Sequence, residues 1–289
     1  MTDKTSRTSR IAFQGEYGAN SDTACRNMFP AMEPLPCPTF EDAFNAVETG
    51  AADLAMIPIE NTLAGRVADI HYLLPQSKLF IIGEYFLPIH FQLMVLPGVR
   101  QDEIQTVHSH IHALGQCRKI IRDNGWQAVV AGDTAGAAKL VAETGRRSMA
   151  ALAPKLAAKL YGLDIAQENV EDAAKNITRF VVLSREEKRE PLPANGKAVM
   201  TSLLFRVRNV PAALYKSLGG FATCGINMTK LESYQIDGAF KATQFYAEIE
   251  GHPDDKMVKL ALEELAFFSE KIRIVGVYPA SPDRHKKAP

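Results

Sequence analysis

The sequence lacks an excess of charge of either sign. Its 289 residues contain 33 Lys and Arg and 33 Asp and Glu, so the formal charge at pH 7 is zero. A neutral chain has no long-range attraction for phosphates or anionic lipids, so neither nucleic acid nor a membrane surface is expected as a partner. The hydrophobic fraction of 46% is ordinary for a globular protein, and the length predicts about two domains.

Cysteine is also scarce, and the apolar runs are short. No two of the four cysteines have C-x-x-C spacing, so neither a redox pair nor a structural zinc site is predicted. Isolated thiols are typical of a reducing compartment, which predicts the cytoplasm. Residues 1–10 are polar and basic, and we expect a disordered tail there, not a secretion signal. The apolar run 79–96 contains proline and polar residues and does not predict a membrane span.

The order of apolar patterns predicts two architectures joined by a linker. Residues 11–184 alternate strand-like and helical segments, which predicts an α/β fold with mainly parallel sheets and ligands at the carboxyl ends of strands. A capping-box pattern at Thr39–Asp42 predicts the start of one helix. Residues 185–198 have linker composition. Residues 199–279 follow a βαββαβ order, and residues 280–289 are expected to form a solvated tail.

Polar residues follow a buried strand at segment 58–62, where Pro58 is expected to end the strand. Glu60, Asn61 and Thr62 offer a carboxylate, an amide and a hydroxyl that together can orient a polar ligand. The alternative is that Asn61 or Thr62 only caps the next helix.

Ser109-His110 and Gln116-Cys117 bracket the start of a predicted helix, where amides and a hydroxyl can bind an anion. His110 is a candidate general base, although three nearby histidines more often face water. No carboxylate or cysteine completes a metal-ligand spacing, so no metal site is predicted.

Two further segments contain groups suited to binding carboxylates. The turn 132–136, which includes Thr134, can cradle an anion, although it has no P-loop pattern. Segment 176–180 opens the last strand before the linker. The Thr178 hydroxyl is stiffly aimed there, and Arg179 offers a two-pronged donor. Strand alternation places Arg179 on the face opposite Thr178 and Phe180, and the alternative is an ordinary strand start.

Four motifs resemble, in order and spacing, those of prephenate dehydratases: Gly15…Gly18…Ser21, Pro58-Ile59-Glu60-Asn61, Ser109-His110 with Gln116-Cys117, and Asn176-Ile177-Thr178-Arg179-Phe180. The C-terminal part, from Ala213-Leu214 through residues 225–230 to Leu231-Glu232-Ser233, resembles the ACT regulatory module of that family. The resemblance covers about residues 11–280. It implies a two-lobed, periplasmic-binding-protein-like catalytic domain, with lobe 1 at 11–86 plus 172–184 and lobe 2 at 87–171. It also implies a βαββαβ (ferredoxin-like) ACT domain. The sequence departs from the family pattern at these residues: Thr62 for Ser, Ile111-His112 for Pro-Gln, Ala212 for Gly, and Tyr234-Gln235 for Arg-Pro.

The resemblance implies a lyase that converts prephenate to phenylpyruvate with loss of water and carbon dioxide, without a cofactor or metal. It makes Thr178 the proton donor to the departing hydroxyl. Glu60 is expected to orient its loop, because a free carboxylate would repel a dianionic substrate. The expected substrate-binding residues are Glu60, Asn61, Thr62, Ser109, Gln116, Thr134, Arg179 and Phe180.

The ACT-like part implies feedback control by L-phenylalanine and a homodimer or homotetramer. The alternative is that this part only joins subunits. The expected effector-binding residues are Ala212, Ala213, Leu214, Asn227, Met228, Glu232 and Ser233.

Three other functions stay open at this point. Arogenate dehydratase differs only in the substrate's side chain. A non-catalytic two-lobed solute-binding protein would bind prephenate without turnover. A regulatory amino-acid sensor would have no need for Thr178 beside a polar cleft.

Overall fold

A computed structural model describes residues 8–173, 175–193, 198–208, 210–235 and 242–285. The chain divides into two compact units. Among the described residues, the first unit holds those up to Val67 together with Tyr85–Phe180. The second unit holds Ala68–Glu84 and the residues from Val181 onward. Residues 68–84 and 181–184, expected in lobe 1, therefore group with the C-terminal part.

The helices and strands follow one another in a mixed α/β order. The first group is β1 (Arg10–Gln14), α1 (Asn20–Met28), β2 (Glu33–Cys37), α2 (Phe40–Glu48), β3 (Leu54–Asn61), β4 (Gly65–Arg66), α3 (Ala68–Gln76) and β5 (Phe80–Pro88). The second is β6 (Gln92–Val95), β7 (Thr106–Ser109), α4 (Ile111–Gln116), α5 (Arg118–Asp123), β8 (Gln127–Val130), α6 (Thr134–Thr144), β9 (Met149–Ala153), α7 (Lys155–Tyr161), β10 (Asp164–Gln167) and β11 (Ile177–Ser184). The last is β12 (Val199–Val207), α8 (Ala213–Thr223), β13 (Met228–Gln235), β14 (Ala242–Glu250), α9 (Lys256–Phe268) and β15 (Ser269–Pro279).

The first sheet of the first unit is built around β1. Strand β1 lies between β2 and β3 and is parallel to both. Helix α2 begins with the predicted capping box: Thr39 Oγ1 accepts from the Asp42 backbone N–H at 3.1 Å, and Asp42 Oδ2 accepts from the Thr39 backbone N–H at 3.2 Å. Its Ala43, Phe44 and Val47 are buried as the helical spacing predicts.

One part of the predicted strand layout is wrong. Strand β3 does not end at Pro58 but continues to Asn61. Its pairing with β1 uses Leu54 and Ala55, so the missing N–H of Pro58 interrupts no bond of that ladder. As a result, Glu60 and Asn61 lie on the strand end, not in a loop.

The second sheet of this unit has the order β10-β6-β9-β7-β8. Strands β7, β8 and β9 are parallel, and β6 is antiparallel to both of its neighbours, β9 and β10. Strand β6 is therefore an antiparallel exception in a unit whose sheets were expected to be mainly parallel.

A close contact joins the loop after β1 to helix α7, which connects β9 and β10 of the second sheet. Gly18 has a φ of +90°, and a Cβ there would lie 2.8 Å from the Ala157 Cα, so both conformation and space require glycine. Beside it, the Tyr161 hydroxyl donates to the Tyr17 carbonyl at 2.7 Å. Burial raises the pKa of Tyr161 to about 12, which keeps this donor protonated.

The second unit has the predicted βαββαβ order. Its antiparallel strands run β13-β14-β12-β15, and β5 adds to β15 in parallel where Gly276 pairs with Ile81. Helices α8 and α9 pack together, and Phe221 and Leu265 from these helices share a core with the stacked rings of Phe205 and Phe245.

A solvated tail was expected at residues 280–289, and the described part of it has regular structure and an ion pair. Residues 282–285 form a 3-10 turn, and Arg284 lies in the second unit with its Nε donating to Glu84 Oε1 at 3.0 Å. Pairing with a buried carboxylate holds the arginine in place. Residues 1–7 of the expected N-terminal tail and residues 286–289 lie outside the described residues. No helix in the described ranges is long and apolar enough to cross a membrane.

Candidate functional site

The candidate site is organised by the side chain of Asn61 at the end of β3. Its Oδ1 accepts from the backbone N–H groups of Leu63 and Ala64 at 2.9 and 2.8 Å. Because the amide oxygen is bonded to two N–H donors, Nδ2 must face the other way. It donates to Thr178 Oγ1 at 3.0 Å and to Asn176 Oδ1 at 2.7 Å. The turn after β3 therefore fixes which end of the amide faces β11.

Thr178, predicted to be the catalytic residue, is the second residue of β11 and is half-buried. Its oxygen accepts from Asn61, which leaves the hydroxyl hydrogen to be donated elsewhere. The branched side chain restricts χ1, so this hydroxyl is held in a narrow range of directions.

A buried amide that the sequence did not single out connects the two sheets of the first unit. Asn176 is 3% exposed, accepts from Asn61 and donates from Nδ2 to Gln116 Oε1 at 2.7 Å. Gln116 is the last residue of α4. The sequence signal for Asn176 is its position at the start of the Asn-Ile-Thr-Arg-Phe segment, two residues before Thr178.

Glu60 and Arg179 were both expected to bind substrate, and in the structure they bind each other. Arg179 Nη1 lies 2.9 Å from Glu60 Oε1, and the arginine side chain is only 3% exposed. The guanidinium also lies over the ring of Phe86, with the Arg179 Cζ 5.9 Å from the ring centroid. Arg179 lies on the face opposite Thr178 by strand alternation, so this pair anchors the strand that carries the hydroxyl.

Two more of the expected residues are near this group. Thr62 Oγ1 accepts from the Ile177 backbone N–H at 3.0 Å, which ties the turn after β3 to the start of β11. Phe180 is 1% exposed and packs in the core, so a contact with substrate is not compatible with its burial.

Ser109 and Thr134 have other surroundings. Ser109 is fully buried, and its hydroxyl donates to the Leu152 carbonyl at 2.6 Å, which makes it a packing and pairing group and not an accessible ligand contact. Thr134 is half-buried at the first position of α6, where Asp133 caps the helix by accepting from Gly136 N–H at 2.7 Å. Within the described residues, Thr134 makes no hydrogen bond to the group around Asn61.

The histidines beside Ser109 do not form a base or a metal cluster. His110 Nδ1 accepts from the His112 backbone N–H at 3.3 Å and caps α4. Burial, with a further contribution from His112, lowers the pKa of His110, which fits a neutral ring accepting this bond. Among the described residues, no three His, Cys, Asp or Glu side chains are placed to hold a metal ion.

An open cavity of about 570 Å³ borders the site at Gln116. The turn held by Asn61 contributes Leu63 and Ala64 to its wall, and α4 and β8 contribute Ile111 and Val130. Gln116 is thus shared by the cavity wall and the hydrogen-bonded group.

A second cavity, of about 480 Å³, lies at the start of α8 in the second unit. Four of the expected effector residues line it: Ala212, Ala213, Leu214 and Ser233. Ala212 has a left-handed backbone with a φ of +61°, which is rare for alanine.

The other expected effector residues are not among those lining this cavity. Asn227 Nδ2 donates to Glu250 Oε2 at 3.0 Å, and Glu232 pairs with Lys230 at 3.4 Å. Met228 begins strand β13.

Comparison with known proteins identifies the family. The sequence profile of prephenate dehydratase matches residues 11–188, more than half of the chain. The chain belongs to the prephenate dehydratase family. A bifunctional N-acyl-homoserine lactone acylase/prephenate dehydratase from Komagataeibacter europaeus is 52% identical, covering 96% of this chain and 98% of its own length. Arogenate dehydratase/prephenate dehydratase 1 from Arabidopsis thaliana is 38% identical and covers 93% of this chain and 72% of its own length.

A solved prephenate dehydratase extends the likeness to the fold of the whole chain. The structure from Arthrobacter aurescens, in complex with L-Phe, has a TM-score of 0.86 and 28% identity, covering 97% of this chain and 93% of its own. The mixed α/β fold is therefore that of prephenate dehydratases, and the Asn61–Thr178 group lies within the matched family segment.

Proposed function

We propose that this protein is a prephenate dehydratase that releases phenylpyruvate, water and carbon dioxide. The observation that carries the proposal is the half-buried Thr178 hydroxyl, whose oxygen accepts from Asn61 at 3.0 Å while its hydrogen stays available as a donor. Family membership and the 52% identical relative support the same activity.

The reaction needs little more than a placed donor. The bond from the ring to its carboxylate breaks, and its electron pair moves into the ring. The bond to the ring hydroxyl then breaks, and the departing oxygen takes up a proton and leaves as water. The product ring is aromatic, which supplies the driving force. Threonine is a weak acid, so the contribution of Thr178 must come from placement and from stabilising charge in the transition state.

Arg179 is proposed to act on the strand instead of on the substrate. Its guanidinium is bound to Glu60 and buried. Recognition of the dianion is assigned to the Nε2 of Gln116 and the hydroxyl of Thr178, because the Asn61 amide donates its hydrogens to Thr178 and Asn176.

The proposal is tested by incubating the purified protein with prephenate and following phenylpyruvate, with the uncatalysed acid reaction subtracted. We expect turnover that falls by about 10²- to 10⁴-fold in Thr178→Ala. Binding of prephenate without turnover would instead support a solute-binding protein. A parallel assay with arogenate ranks the two substrates, since the 38% identical relative is named for both.

We also propose that the second unit is an ACT domain that binds L-phenylalanine in the cavity lined by Ala212, Ala213, Leu214 and Ser233. The L-Phe complex of the Arthrobacter aurescens enzyme supports this assignment. Adding phenylalanine should change the initial rate, and an unchanged rate up to millimolar concentration would contradict feedback. We also propose that the protein is cytoplasmic and forms a homodimer or homotetramer. Light scattering of the purified protein measures the mass of the oligomer.

A second candidate activity is hydrolysis of N-acyl-homoserine lactones, because the 52% identical relative is named as such an acylase. The test is incubation with an N-acyl-homoserine lactone and detection of the free fatty acid. If Thr178→Ala removes dehydration and leaves hydrolysis intact, the two activities use different groups.

A further inference from the structure

The amide groups of Asn61, Asn176 and Gln116 form a relay of hydrogen bonds whose direction is set at one end. At that end the backbone N–H groups of Leu63 and Ala64 require an acceptor, so Asn61 presents Oδ1 to them. Asn61 Nδ2 then faces Asn176 Oδ1, and Asn176 Nδ2 faces Gln116 Oε1. Reversing any one amide would set donor against donor or acceptor against acceptor at a distance of 2.7 Å.

From this relay we propose that Asn176 is a positioning residue that sets the hydrogen-bond polarity of the active site. With Oε1 of Gln116 held by Asn176, the Nε2 of Gln116 is directed away from the relay as a donor. Asn61 Nδ2 also donates to the Thr178 oxygen, so the Thr178 hydroxyl can act as a donor toward substrate. The relay thus offers donors to a substrate rich in carboxylate and hydroxyl oxygens. This inference rests on the proposed dehydratase function.

The burial of Asn176 supports its role. The residue is only 3% exposed. Its Oδ1 accepts a hydrogen bond from Asn61, and its Nδ2 donates one to Gln116. A buried amide with both ends paired has one favourable orientation, because an unpaired buried group carries a large penalty. Asn176 also bridges β3 of the first sheet and α4 beside the second, so it holds Gln116 and Thr178 in one arrangement.

The sharpest test is Asn176→Asp, which changes donor character with almost no change in shape. At neutral pH the ionised aspartate accepts from Asn61 but has no hydrogen for Gln116 Oε1. Gln116 must then either keep its Oε1 against the introduced carboxylate, which is repulsive, or rotate its amide and present Oε1 to the substrate. We expect kcat/KM to fall by about tenfold to hundredfold.

Lowering the pH should reverse this loss. Once protonated, the introduced carboxyl group accepts at one oxygen and donates from the other, which reproduces the pattern of the native amide. We expect the ratio of variant to wild-type kcat/KM to rise as the pH is lowered from 8 to 5. Asn176→Ala should stay impaired throughout. The wild-type profile, measured in parallel, accounts for the nearby charged groups: Glu60 and its partner Arg179, Lys175 beside Asn176, Asp172 at the Gln116 carbonyl, and His110, His112 and Arg118 at or next to α4.

Two further variants separate polarity from folding. Gln116→Glu keeps the acceptor for Asn176 and removes the outward donor, so it should raise KM while the melting temperature stays near that of the wild type. Asn169→Asp is a matched control, because Asn169 Oδ1 accepts from Gln92 outside the relay and an aspartate can do the same. It should leave kcat/KM unchanged at every pH.

An unchanged kcat/KM for Asn176→Asp at pH 8, or a loss with no recovery in acid, would overturn the relay. If the wild type itself fails to convert prephenate, the proposed function is wrong and the relay is tested by thermal unfolding. The difference in melting temperature between Asn176→Asp and the wild type should then narrow from pH 8 to pH 5, because burial favours the protonated aspartate in the folded protein. A difference in melting temperature that stays constant from pH 8 to pH 5 would contradict the relay.

Discussion

The Nδ2 of Asn61 lies 3.0 Å from the Oγ1 of Thr178, although the two residues are 117 positions apart in the sequence. Asn61 ends β3, Thr178 is the second residue of β11, and these strands are neighbours in the sheet. Strand pairing therefore brings the amide to the hydroxyl. The direction of the bond makes Thr178 an acceptor toward Asn61 and a donor toward substrate.

The first prediction concerns the hydroxyl of Thr178. Thr178→Ala should lower kcat by about 10²- to 10⁴-fold, which is the range for a placed proton donor. Stability should fall by about 1 kcal/mol, because the alanine also removes the partner of one Asn61 hydrogen. Steady-state rates with prephenate and thermal unfolding measure the two effects.

Thr178→Ser is the control for this prediction. Serine keeps the hydroxyl and loses the methyl group that restricts χ1, so the loss should be below about tenfold. Turnover by Thr178→Ala equal to that of the wild type, at matched melting temperature, would exclude Thr178 as the donor.

The second prediction concerns the Glu60–Arg179 pair. Glu60→Ala removes a carboxylate from a guanidinium that is 3% exposed, and we expect it to destabilise the fold by about 1–2 kcal/mol. The effect is below that of a fully buried pair because Glu60 is 37% exposed. Urea unfolding measures this, and Glu60→Gln, which still accepts a hydrogen bond, should lose less.

Catalysis distinguishes this anchoring role from substrate binding. If Arg179 anchors the strand, Glu60→Ala should lower kcat through Thr178 and leave KM almost unchanged. A large rise in KM with little loss of stability would show that the pair contacts substrate directly.

Local features of the fold were readable from the sequence, and features that depend on distant partners were not. The capping box of Thr39 and Asp42 involves residues three apart, and it formed as predicted. Pro58 was expected to end β3, and it does not, because which N–H groups a strand needs depends on its neighbours. The reversed direction of β6 likewise depends on the strands beside it.

The same division holds in the candidate site. Asn61 and Thr178 were found from motifs, and the structure joins them. Asn176 was passed over because its role requires both Asn61 and Gln116 as partners. Ser109 was expected to face a ligand, but it is buried against the Leu152 carbonyl, 43 positions away. Whether a hydroxyl at a strand end faces a cleft or the core is decided by such a neighbour.

The third prediction concerns Ala212, whose φ is +61°. The left-handed region destabilises an L-residue by roughly 1–2 kcal/mol, and glycine avoids this at an entropic cost of about 0.5–1 kcal/mol. Ala212→Gly should therefore stabilise the protein by about 0.5–1 kcal/mol in calorimetry. It also removes a methyl group from the wall of the 480 Å³ cavity, so phenylalanine should bind more tightly.

Ala222→Gly is the matched control, because Ala222 is an exposed residue within α8. Glycine there should destabilise by up to about 1 kcal/mol and leave phenylalanine binding unchanged. Equal destabilisation by both substitutions would contradict strain at Ala212.

The fourth prediction concerns the thiols. Burial raises the pKa values of Cys25 and Cys117, with smaller contributions from nearby carboxylates, and burial also raises the pKa of Cys37. Because the thiolate is the reactive form, these three should resist alkylation at pH 8, and the half-buried Cys224 should react first. Mass spectrometry of peptides labelled over time measures the order. All four should react in urea, and early labelling of Cys117 in the native protein would contradict its burial.

The last prediction concerns Arg284, whose guanidinium lies between two buried carboxylates. Its Nε donates to Glu84 Oε1 at 3.0 Å, and its Nη2 lies 3.5 Å from Glu248 Oε2. Arg284→Met keeps the aliphatic bulk and leaves Glu84 and Glu248 without this cation, so unfolding free energy should fall by about 3 kcal/mol at pH 7.

Arg189→Met is the control, because its ion pair with Asp254 at 3.2 Å is largely exposed and should contribute less than about 1 kcal/mol. Calorimetry of both variants at pH 7 compares their unfolding free energies. Equal, small losses would mean that Arg284 behaves as a surface residue. A large loss for Arg284→Met alone would show that residues near the C-terminus help to stabilise the second unit, because Arg284 pairs with two of its buried carboxylates.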